Sequence, residues 1–572
     1  MTLRDEDRAT APVDPPHGRP GARHPYLVVA VVLVAAFVQM VDVSIINVAI
    51  PSVQSDLNAT ASQIQWVVAG YQLAFACVLI VSGRLGDTLG SRTVFLLGMT
   101  LFVAASACCG AATSPLMLVL SRIVQGLGSG LMYPQAYSVV QLYVPPEKRQ
   151  KALGMVAACL ALATILGPLL GGLLIQWDVM GLGWRAIFLV NVPIGLAAIA
   201  GALRLLDNSR PAGAERPDLP GIPLVMTGTF LLLFPLLQGR ELGWPWWLYG
   251  MLVLAAAVLT GFVLWERAVE RSGRAPLVYP ELFRDRAFSV GLTVILVFFA
   301  GLPVYALTLT LYLQLGFGMS ALDAGVATLP FAFGTVLASG LSERVSQRAG
   351  RFALSLPGLI TAAGMGTLAW RVHAVDTTLN AWSLAPMLFL VGVGLGLFAP
   401  VAVDHVLAGV QSRHVGSASG ALSTAQQVGG AFGVAVIGLL FFTQVSHNAD
   451  DAASEAFHRS RPAIVAAGVP ERQLGPVSDQ FAHCFQARMD GGRDGAVPAE
   501  CRRPDSTADP AVARELADRA VPRALALDYG RSLWRTLLLE TGVYVLAALL
   551  ALALPARERA TTAKDAVSHT AV

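Results

Sequence analysis

A single charged side chain stands inside an otherwise apolar segment near the start of the chain. Asp42 is the one charged residue between Tyr26 and Ile50. An ionised carboxylate in the hydrocarbon core of a membrane costs about 2.5 to 3.5 kcal/mol on insertion scales. Such a residue needs a partner or a function, and the chemistry open to it is the binding and release of a proton.

A second charged residue is expected at a similar depth. If the first helix enters the membrane at Tyr26, Asp42 lies about 24 Å along it. If the fourth helix starts at the opposite membrane surface near residue 116, Arg122 lies about 9 Å below that surface, at a similar depth. Gln125 is one turn beyond Arg122 on the same helix face. We interpret Asp42 and Arg122 as a proton-coupling pair sharing one cavity. The alternative is a structural polar pair that joins two helices.

The composition is that of a polytopic membrane protein. The chain has 572 residues, of which 55% are hydrophobic and 13% charged, and its mean hydropathy is +0.61. This excludes an ordinary soluble protein, and a net charge of +3 spread over short turns does not predict a nucleic-acid surface. The sequence has no GxxxxGK[ST], HExxH or GxSxG pattern, so we expect no enzymatic activity, cofactor or metal.

Fourteen apolar windows are separated by polar turns, and each is long enough to cross the hydrocarbon core as a helix. The sequence therefore predicts an all-α membrane protein. The predicted spans are 26–50, 64–83, 94–112, 116–140, 152–175, 184–205, 220–239, 246–265, 287–314, 324–343, 353–370, 382–404, 415–443 and 532–555.

Basic residues alternate between successive loops. Short cytoplasmic loops carry an excess of Lys and Arg, so both termini are predicted to be cytoplasmic, in a multi-pass inner (plasma) membrane protein. The basic loops contain Arg84, Arg92, Lys148, Arg149, Lys151, Arg204, Arg210, Arg216, Arg267, Arg271, Arg274, Arg284, Arg286, Arg344, Arg348, Arg351 and Arg413; the short loops between them contain only Arg185, Arg240 and Arg371.

One long polar stretch, residues 445–531, is predicted to lie outside the membrane. Pro, Asp and Arg are frequent there, which favours a mobile, solvated loop; short helices at 454–467 and 509–527 are the alternative. Cys484 and Cys501 lie in this stretch. In an oxidising compartment they form a disulfide or remain two free thiols, and the sequence leaves both open.

A faint internal repeat divides the chain into two halves. SGRLGDTLGSRTVFLL (82–97) is echoed by SGLSERVSQRAGRFAL (339–354), and parallel repeats are typical of transporters. The predicted organisation is a polar N-terminus (1–25), a six-helix bundle (26–205), two inserted helices (206–270), a second six-helix bundle (271–555) and a cytoplasmic tail (556–572).

Two glycine-containing motifs are candidates for conformational roles. The first contains Gly83, Asp87, Gly90 and Arg92 and is interpreted as a latch, since an acid there faces a helix N-terminus; an ordinary turn is the alternative. The second contains Gly167, Pro168, Gly171 and Gly172 and is interpreted as a hinge or rocking surface, with ordinary close packing as the alternative.

Five motifs in order resemble those of the major facilitator superfamily, specifically its fourteen-span drug:proton antiporters. They are carried by Asp42, Asn47, Ala49 and Pro51; Gly83, Asp87, Gly90 and Arg92; Arg122, Gln125, Gly126, Gly128 and Gly130; Gly154, Gly167, Pro168, Gly171 and Gly172; and Trp184, Arg185, Phe188, Asn191, Pro193 and Gly195.

The resemblance implies two six-helix bundles with two inserted helices, and a monomeric exporter working by alternating access. It would exchange protons for drugs, antibiotics or other amphiphilic small molecules. Cavities for such compounds are mostly apolar with few polar groups. Candidate cavity residues are Tyr71, Gln72, Gln125, Tyr133, Gln135, Tyr305 and Gln314.

Two other functions are compatible with the sequence. One is a dedicated exporter of a single endogenous metabolite or lipid. The other is a non-transporting membrane receptor or assembly partner that uses residues 445–531 for docking, in which case Asp42 is replaceable without consequence.

Overall fold

The regular structure of the chain is helical throughout the residues that the computed structural model describes, which are 25–207, 218–375, 379–466, 469–490, 501 and 514–554. Residues 1–24 of the predicted N-terminal region 1–25, and the predicted tail 556–572, lie outside them. The α-helices are α1 Pro25–Leu57, α2 Ala61–Leu89, α3 Ser91–Gly110, α4 Pro115–Tyr143, α5 Pro146–Gln176, α6 Ala186–Leu189, α7 Asn191–Leu205, α8 Gly221–Gln238, α9 Trp246–Arg271, α10 Arg286–Leu311, α11 Ala321–Ala327, α12 Leu329–Ala349, α13 Ser355–Ala374, α14 Ala385–Ala408, α15 Val415–Gly433, α16 Leu439–Ala466, α17 Leu474–Asp490 and α18 Val521–Ala551.

The predicted all-helical membrane fold is confirmed, and the count of fourteen spans is approximately matched. Among the described residues, 12 helices are long and apolar enough to cross a membrane, or 13 if the bent helix α5 is one span. The remaining predicted span corresponds to α13, a 20-residue helix that packs against α14 and α18. Its Gly, Thr and Ser residues lower its apolar character.

Local sequence signals set the boundaries of helices α2, α3 and α4. Thr60 and Gln63 form a reciprocal capping box at the start of α2, and the Ser114 side chain caps α4 just before Pro115. Gly90 ends α2 and begins α3 at φ 89°, a backbone conformation that favours glycine. α2 and α3 are therefore joined without an intervening loop.

The long helices pack into two bundles with a helix pair beside them. Helices α1 to α5 and α7 pack on one another, as do α10, α12 to α16 and α18, while α8 pairs with α9 and contacts α2 and α15. The predicted residue boundaries of the domains remain predictions.

The two bundles contact each other at one end, which we call the arginine-rich end because it carries Arg84, Arg92, Arg149 and Arg348. Here α2 packs on α15 and α5 on α12. The backbones approach closely enough that a Cβ added to Gly154 would lie 2.7 Å from the Ser339 carbonyl oxygen. We call the other end, where α1 ends and α4 begins, the opposite end. The arrangement closes the space between the bundles at the arginine-rich end.

The described part of 445–531 is helical, so the expectation of a mobile, solvated loop is wrong for these residues. α16 and α18 continue into this stretch and pack together, and α17 packs against α16. Alanines at helical spacing on α16 (Ala449, Ala452, Ala453 and Ala456) are fully buried against Phe485 and Ala524. The small side chains allow close helix packing. The many charged residues of this stretch made the alanine pattern hard to recognise in the sequence.

A disulfide links Cys484 on α17 to Cys501, with Cα atoms 5.4 Å apart. It closes a loop of 17 residues, and constraining a loop of this length in the unfolded chain stabilises a protein by about 3 kcal/mol. Of the two alternatives that the sequence left open, the structure contains the disulfide.

Replacing both Cys484 and Cys501 by Ser is expected to weaken α17 selectively. Hydrogen–deuterium exchange should become faster in α17, because its link to Cys501 is lost, and stay unchanged in α1 to α5. Wild-type protein treated with a reductant is the matched control and should behave like the double variant. Equal exchange in the oxidised wild type and the double variant would contradict a stabilising role for the disulfide.

Candidate functional site

The Asp42 carboxylate is completely buried and fully hydrogen-bonded inside the first bundle. Arg122 Nη1 donates to Asp42 Oδ2 at 2.6 Å. Gln125 Nε2 and Asn191 Nδ2 donate to Asp42 Oδ1 at 2.9 and 3.0 Å. α1, α4 and α7 thus each supply part of one site. All three contacts bring an N–H donor to Asp42, which is the pattern of an ionised carboxylate.

The Arg122 guanidinium is also enclosed, with a relative side-chain exposure of 1%. Its Nη1 donates to Gln125 Oε1 at 2.8 Å and its Nε to the Val67 carbonyl at 3.2 Å. The guanidinium carbon lies 4.2 Å from the centre of the Tyr71 ring, a cation–π distance. Arg122 therefore holds α2 against α1 and α4.

Ser106 completes the network from α3. Its hydroxyl accepts from Gln125 Nε2 and from Asn191 Nδ2, both at 3.1 Å, and donates to the Phe188 carbonyl at 3.0 Å. The Gln125 amide therefore has a fixed orientation, because its nitrogen donates to Asp42 and Ser106 while its oxygen accepts from Arg122. The site is pre-organised to hold one negative charge in an apolar interior.

The chemistry open to this site is the exchange of one proton at Asp42. A proton on the carboxyl removes the charge that Arg122 neutralises and leaves the guanidinium buried without its counter-ion, which is costly. Both pair members are buried in the helix bundle, so they do not line an open cavity as the sequence analysis supposed. The contact between Asp42 and Arg122, and the place of Gln125 in their hydrogen-bond network, agree with the depths calculated from the sequence.

A second ion pair ties α1 to the α5–α7 connection at the opposite end. Asp56 accepts from Trp184 Nε1 at 3.1 Å and from Arg185 Nη1 at 2.8 Å. The hydrogen bond from Trp184, followed by that from Arg185, lowers the pKa of Asp56 below its usual value. Because both side chains of this pair are partly exposed to solvent, it is expected to add little stability.

The predicted latch residue Asp87 caps the start of α15 in the other bundle. Gly416 N and Ser417 N each donate to the Asp87 carboxylate at 2.7 Å. The N-terminus of a helix favours a negative charge, since its first N–H groups lack intrahelical partners. Asp87 thus forms a charge-assisted contact between the two bundles at the arginine-rich end.

The other residues of this motif fit the same contact. A Cβ on Gly83 would collide with the Gly416 carbonyl oxygen, so the close approach of α2 and α15 requires glycine. Arg92 donates to the Leu203 carbonyl at 2.9 Å and ties α3 to α7. Gly90 supplies the turn described above.

The glycine motif of α5 lies against α1 at the level of Asp42. A Cβ on Gly167 would overlap the Ser44 hydroxyl, and one on Gly171 would lie 2.7 Å from an Ile45 side-chain carbon. Gly172 faces open space. α5 bends by 41° just before Pro168, between its Pro146–Thr164 and Leu166–Gln176 parts. Close packing and a bend are both present; a hinge role stays a prediction.

The remaining predicted cavity residues do not form one group. Tyr71 packs under Arg122, while the hydroxyl of Tyr133 lies 3.2 Å from that of Tyr137. Gln135 is fully buried between α4 and α2 and donates to the Ser82 carbonyl at 2.9 Å. Tyr305 is buried in the second bundle.

Gln72 and Gln314, the other two predicted cavity residues, are half-buried. A role of these residues in a substrate cavity stays a prediction.

Sequence reasoning missed the role of Ser106 and did not assign Asn191 to the charge network. Neither carries a charge, and polar residues of this kind are common in membrane helices, where they bond to neighbouring helices. The available signal was depth: Asn191 begins α7 and Ser106 lies near the end of α3, both toward the opposite end, as Asp42 does.

These features define a class of protein: a helical membrane protein whose described residues form two bundles, with an ion pair buried in the first bundle and a hydrogen-bonded contact between the bundles. Comparison with known proteins gives the family. Residues 32–434 match the Major Facilitator Superfamily, and the chain belongs to that family. It is a multi-pass membrane protein of a transporter family and is not classed as an enzyme.

Two curated relatives show the likeness over most of the chain. It is 35% identical to the "Probable actinorhodin transporter" of Streptomyces coelicolor over 97% of this chain and 98% of that protein. It is also 35% identical to the "Tetracenomycin C resistance and export protein" of Streptomyces glaucescens, over 78% of this chain and 81% of the relative.

The fold is shared with a solved transporter structure. The human organic anion transporter MFSD10 (TETRAN) is matched with a TM-score of 0.52 at 16% identity, covering 73% of this chain and 94% of that one. At this identity the likeness concerns the fold alone.

Replacing Asp87 by Asn is expected to loosen the arginine-rich end. The variant exchanges a charged acceptor for a neutral one at Gly416 and Ser417, a difference of about 1 kcal/mol or roughly fivefold in the closed-to-open ratio. The measurement is the rate at which a cysteine introduced at Ser423 reacts with a membrane-impermeant maleimide, after the four free cysteines have been replaced.

Asp56→Asn is the matched control, since it removes a carboxylate at the opposite end. Its labelling rate at position 423 should equal that of the parent protein. Equal rates in the Asp87→Asn variant and the parent would mean that Asp87 does not hold the two bundles together.

Proposed function

We propose that the chain is a proton-coupled exporter of antibiotic-like amphiphilic small molecules, located in the plasma membrane with the arginine-rich end in the cytoplasm. The observation that carries the proposal is the buried Asp42–Arg122 pair at 2.6 Å. A fully desolvated carboxylate whose ionised form depends on one guanidinium is suited to proton exchange. The names of the relatives, which include antibiotic exporters and resistance proteins, support the substrate class.

The proton step follows from the geometry of the pair. Asp42 is ionised here and the bundles are in contact at the cytoplasmic end, so this state corresponds to one that is ready to take up a proton from outside. Protonation of Asp42 removes the counter-charge of Arg122, and the guanidinium then needs new acceptors. Rearrangement of α1, α2 and α4 around Arg122 would change the packing between the bundles.

The contact at Asp87 supplies the gate of this cycle. While Asp87 caps α15, the cytoplasmic side of the central space is closed and the substrate can leave outward. Separation of α2 from α15 breaks two hydrogen bonds and opens the cytoplasmic side for loading. Alternating access then needs no ATP.

The driving force is sufficient for export. One charge moving through a membrane potential contributes about 2.3 kcal/mol per 100 mV. At roughly 150 mV, a single proton therefore supports a concentration ratio of a few hundredfold, since about 1.4 kcal/mol corresponds to a factor of ten.

The test is pH-gradient-driven accumulation of a panel of fluorescent amphiphiles in inverted membrane vesicles, with Asp42→Asn compared with the intact chain. The variant keeps the size of the side chain and most of its hydrogen bonds but has no carboxyl group that can bind and release a proton. Gradient-driven accumulation is expected to fall to background, with expression and chromatographic behaviour unchanged.

Glu241→Gln is the control, because it makes the equivalent chemical change at an exposed site on the opposite end. It should transport like the parent. Undiminished accumulation by Asp42→Asn would exclude Asp42 as the coupling residue, and absence of accumulation by both the intact chain and the variant would favour the receptor alternative.

A further inference from the structure

A second carboxyl is buried in the other bundle, and the export mechanism described above does not use it. Glu540 lies near the middle of α18 with 0% exposure. Neither of its carboxyl oxygens has a hydrogen-bond partner among the described residues. Its isolation contrasts with Asp42, which has three donors.

Two tyrosine hydroxyls share the surroundings of Glu540, and both also lack hydrogen-bond partners in the described structure. Tyr544 is one turn further along α18, on the same helix face, and Tyr305 lies on the adjoining α10. Both phenol groups are within electrostatic range of the Glu540 carboxyl. Leaving one acid and two hydroxyls unpaired in an apolar interior is costly, so the cluster calls for a functional explanation.

No described cation neutralises Glu540. The titratable groups that face it are Tyr305 and Tyr544. The charged groups on the packed helices lie at or beyond the helix ends. Arg286 begins α10, and Arg371 and His373 lie in the last turn of α13. On α16, Glu455 pairs with Arg531 of α18. An unpaired ionised carboxylate in such an interior is expensive enough that the group neutralises instead. Glu540 therefore carries its proton in this state.

The packing of side chains around Glu540 and Tyr544 shows whether the site has room for a proton alone or for a larger ligand. Tyr544 lies edge-on to Phe298 with ring centres 5.0 Å apart, and Phe298 stacks on Phe398 at 3.7 Å. A Cβ on Gly301 would lie 2.7 Å from the Tyr544 hydroxyl oxygen. Glu540 is thus enclosed by closely packed side chains, and in this state a proton fits where a substrate group does not.

We propose that Glu540 is a second proton-binding group of the transport cycle, located in the second bundle. In the structure Asp42 is ionised and Glu540 is protonated, so one of two coupling protons is bound. When rearrangement admits water, Glu540 releases its proton, and the hydroxyls of Tyr305 and Tyr544 donate hydrogen bonds to the carboxylate that remains. The role in coupling rests on the proposed function; the binding of a proton at Glu540 does not.

Proton binding is tested by infrared spectroscopy on the full chain in nanodiscs at neutral pH, using the carbonyl band of a protonated carboxylic acid. Glu540→Gln is expected to lose one such band, while Glu540→Asp and Asp42→Asn keep it. Glu455→Gln is the matched control and should keep the band, since Glu455 is paired with Arg459 and Arg531. A spectrum of Glu540→Gln with no band lost would overturn the proposal.

Coupling is tested by the substrate ratio that proteoliposomes sustain across a clamped pH difference of one unit at zero potential. Loss of one coupled proton should reduce this ratio about tenfold in Glu540→Gln, because one pH unit per proton is worth a factor of ten. An unchanged ratio would overturn the coupling role. Absence of pH-driven transport in the wild type would instead refute the proposed function and leave the infrared result standing.

Discussion

The ion pair between Asp42 and Arg122 is the interaction on which the rest of the structure depends. A buried pair adds little net stability, but removing the charge of one partner leaves the other uncompensated, which costs about 3 to 5 kcal/mol. Amide and hydroxyl groups from α3, α4 and α7 are arranged around this pair and satisfy its remaining hydrogen bonds. The network is stable when Asp42 is ionised and is destabilised when Asp42 binds a proton. A coupling site requires this dependence on protonation.

α2 connects this network to the contact between the bundles. Near its start, the Val67 carbonyl and the Tyr71 ring contact the Arg122 guanidinium. Near its end, Asp87 caps α15 of the other bundle. Val67 and Asp87 are about 30 Å apart along a continuous helix, so we infer that a change at Arg122 is transmitted through a rigid element.

The sequence predicted the helical fold and the central pair because both depend on local signals: apolar length, and a charge at a calculable depth. It did not predict which residue would face Asp87, because Gly416 lies 329 positions away and only the packed bundles bring them together. Gln135 was assigned to a cavity by its residue type, whereas its hydrogen bond to Ser82 places it between helices. Glu540 obeys the rule that identified Asp42, a lone acid in an apolar segment, and was overlooked.

We infer that the protonation of Asp42 decides which end of the protein is open. The most direct measurement is the distance between spin labels at positions 89 and 411, on either side of the Asp87 contact, as a function of pH. Acidification is expected to lengthen this distance in the intact chain, and Asp42→Asn is expected to show the longer distance at every pH. A pH-dependent distance that persists unchanged in Asp42→Asn would exclude Asp42 as the group that opens the arginine-rich end.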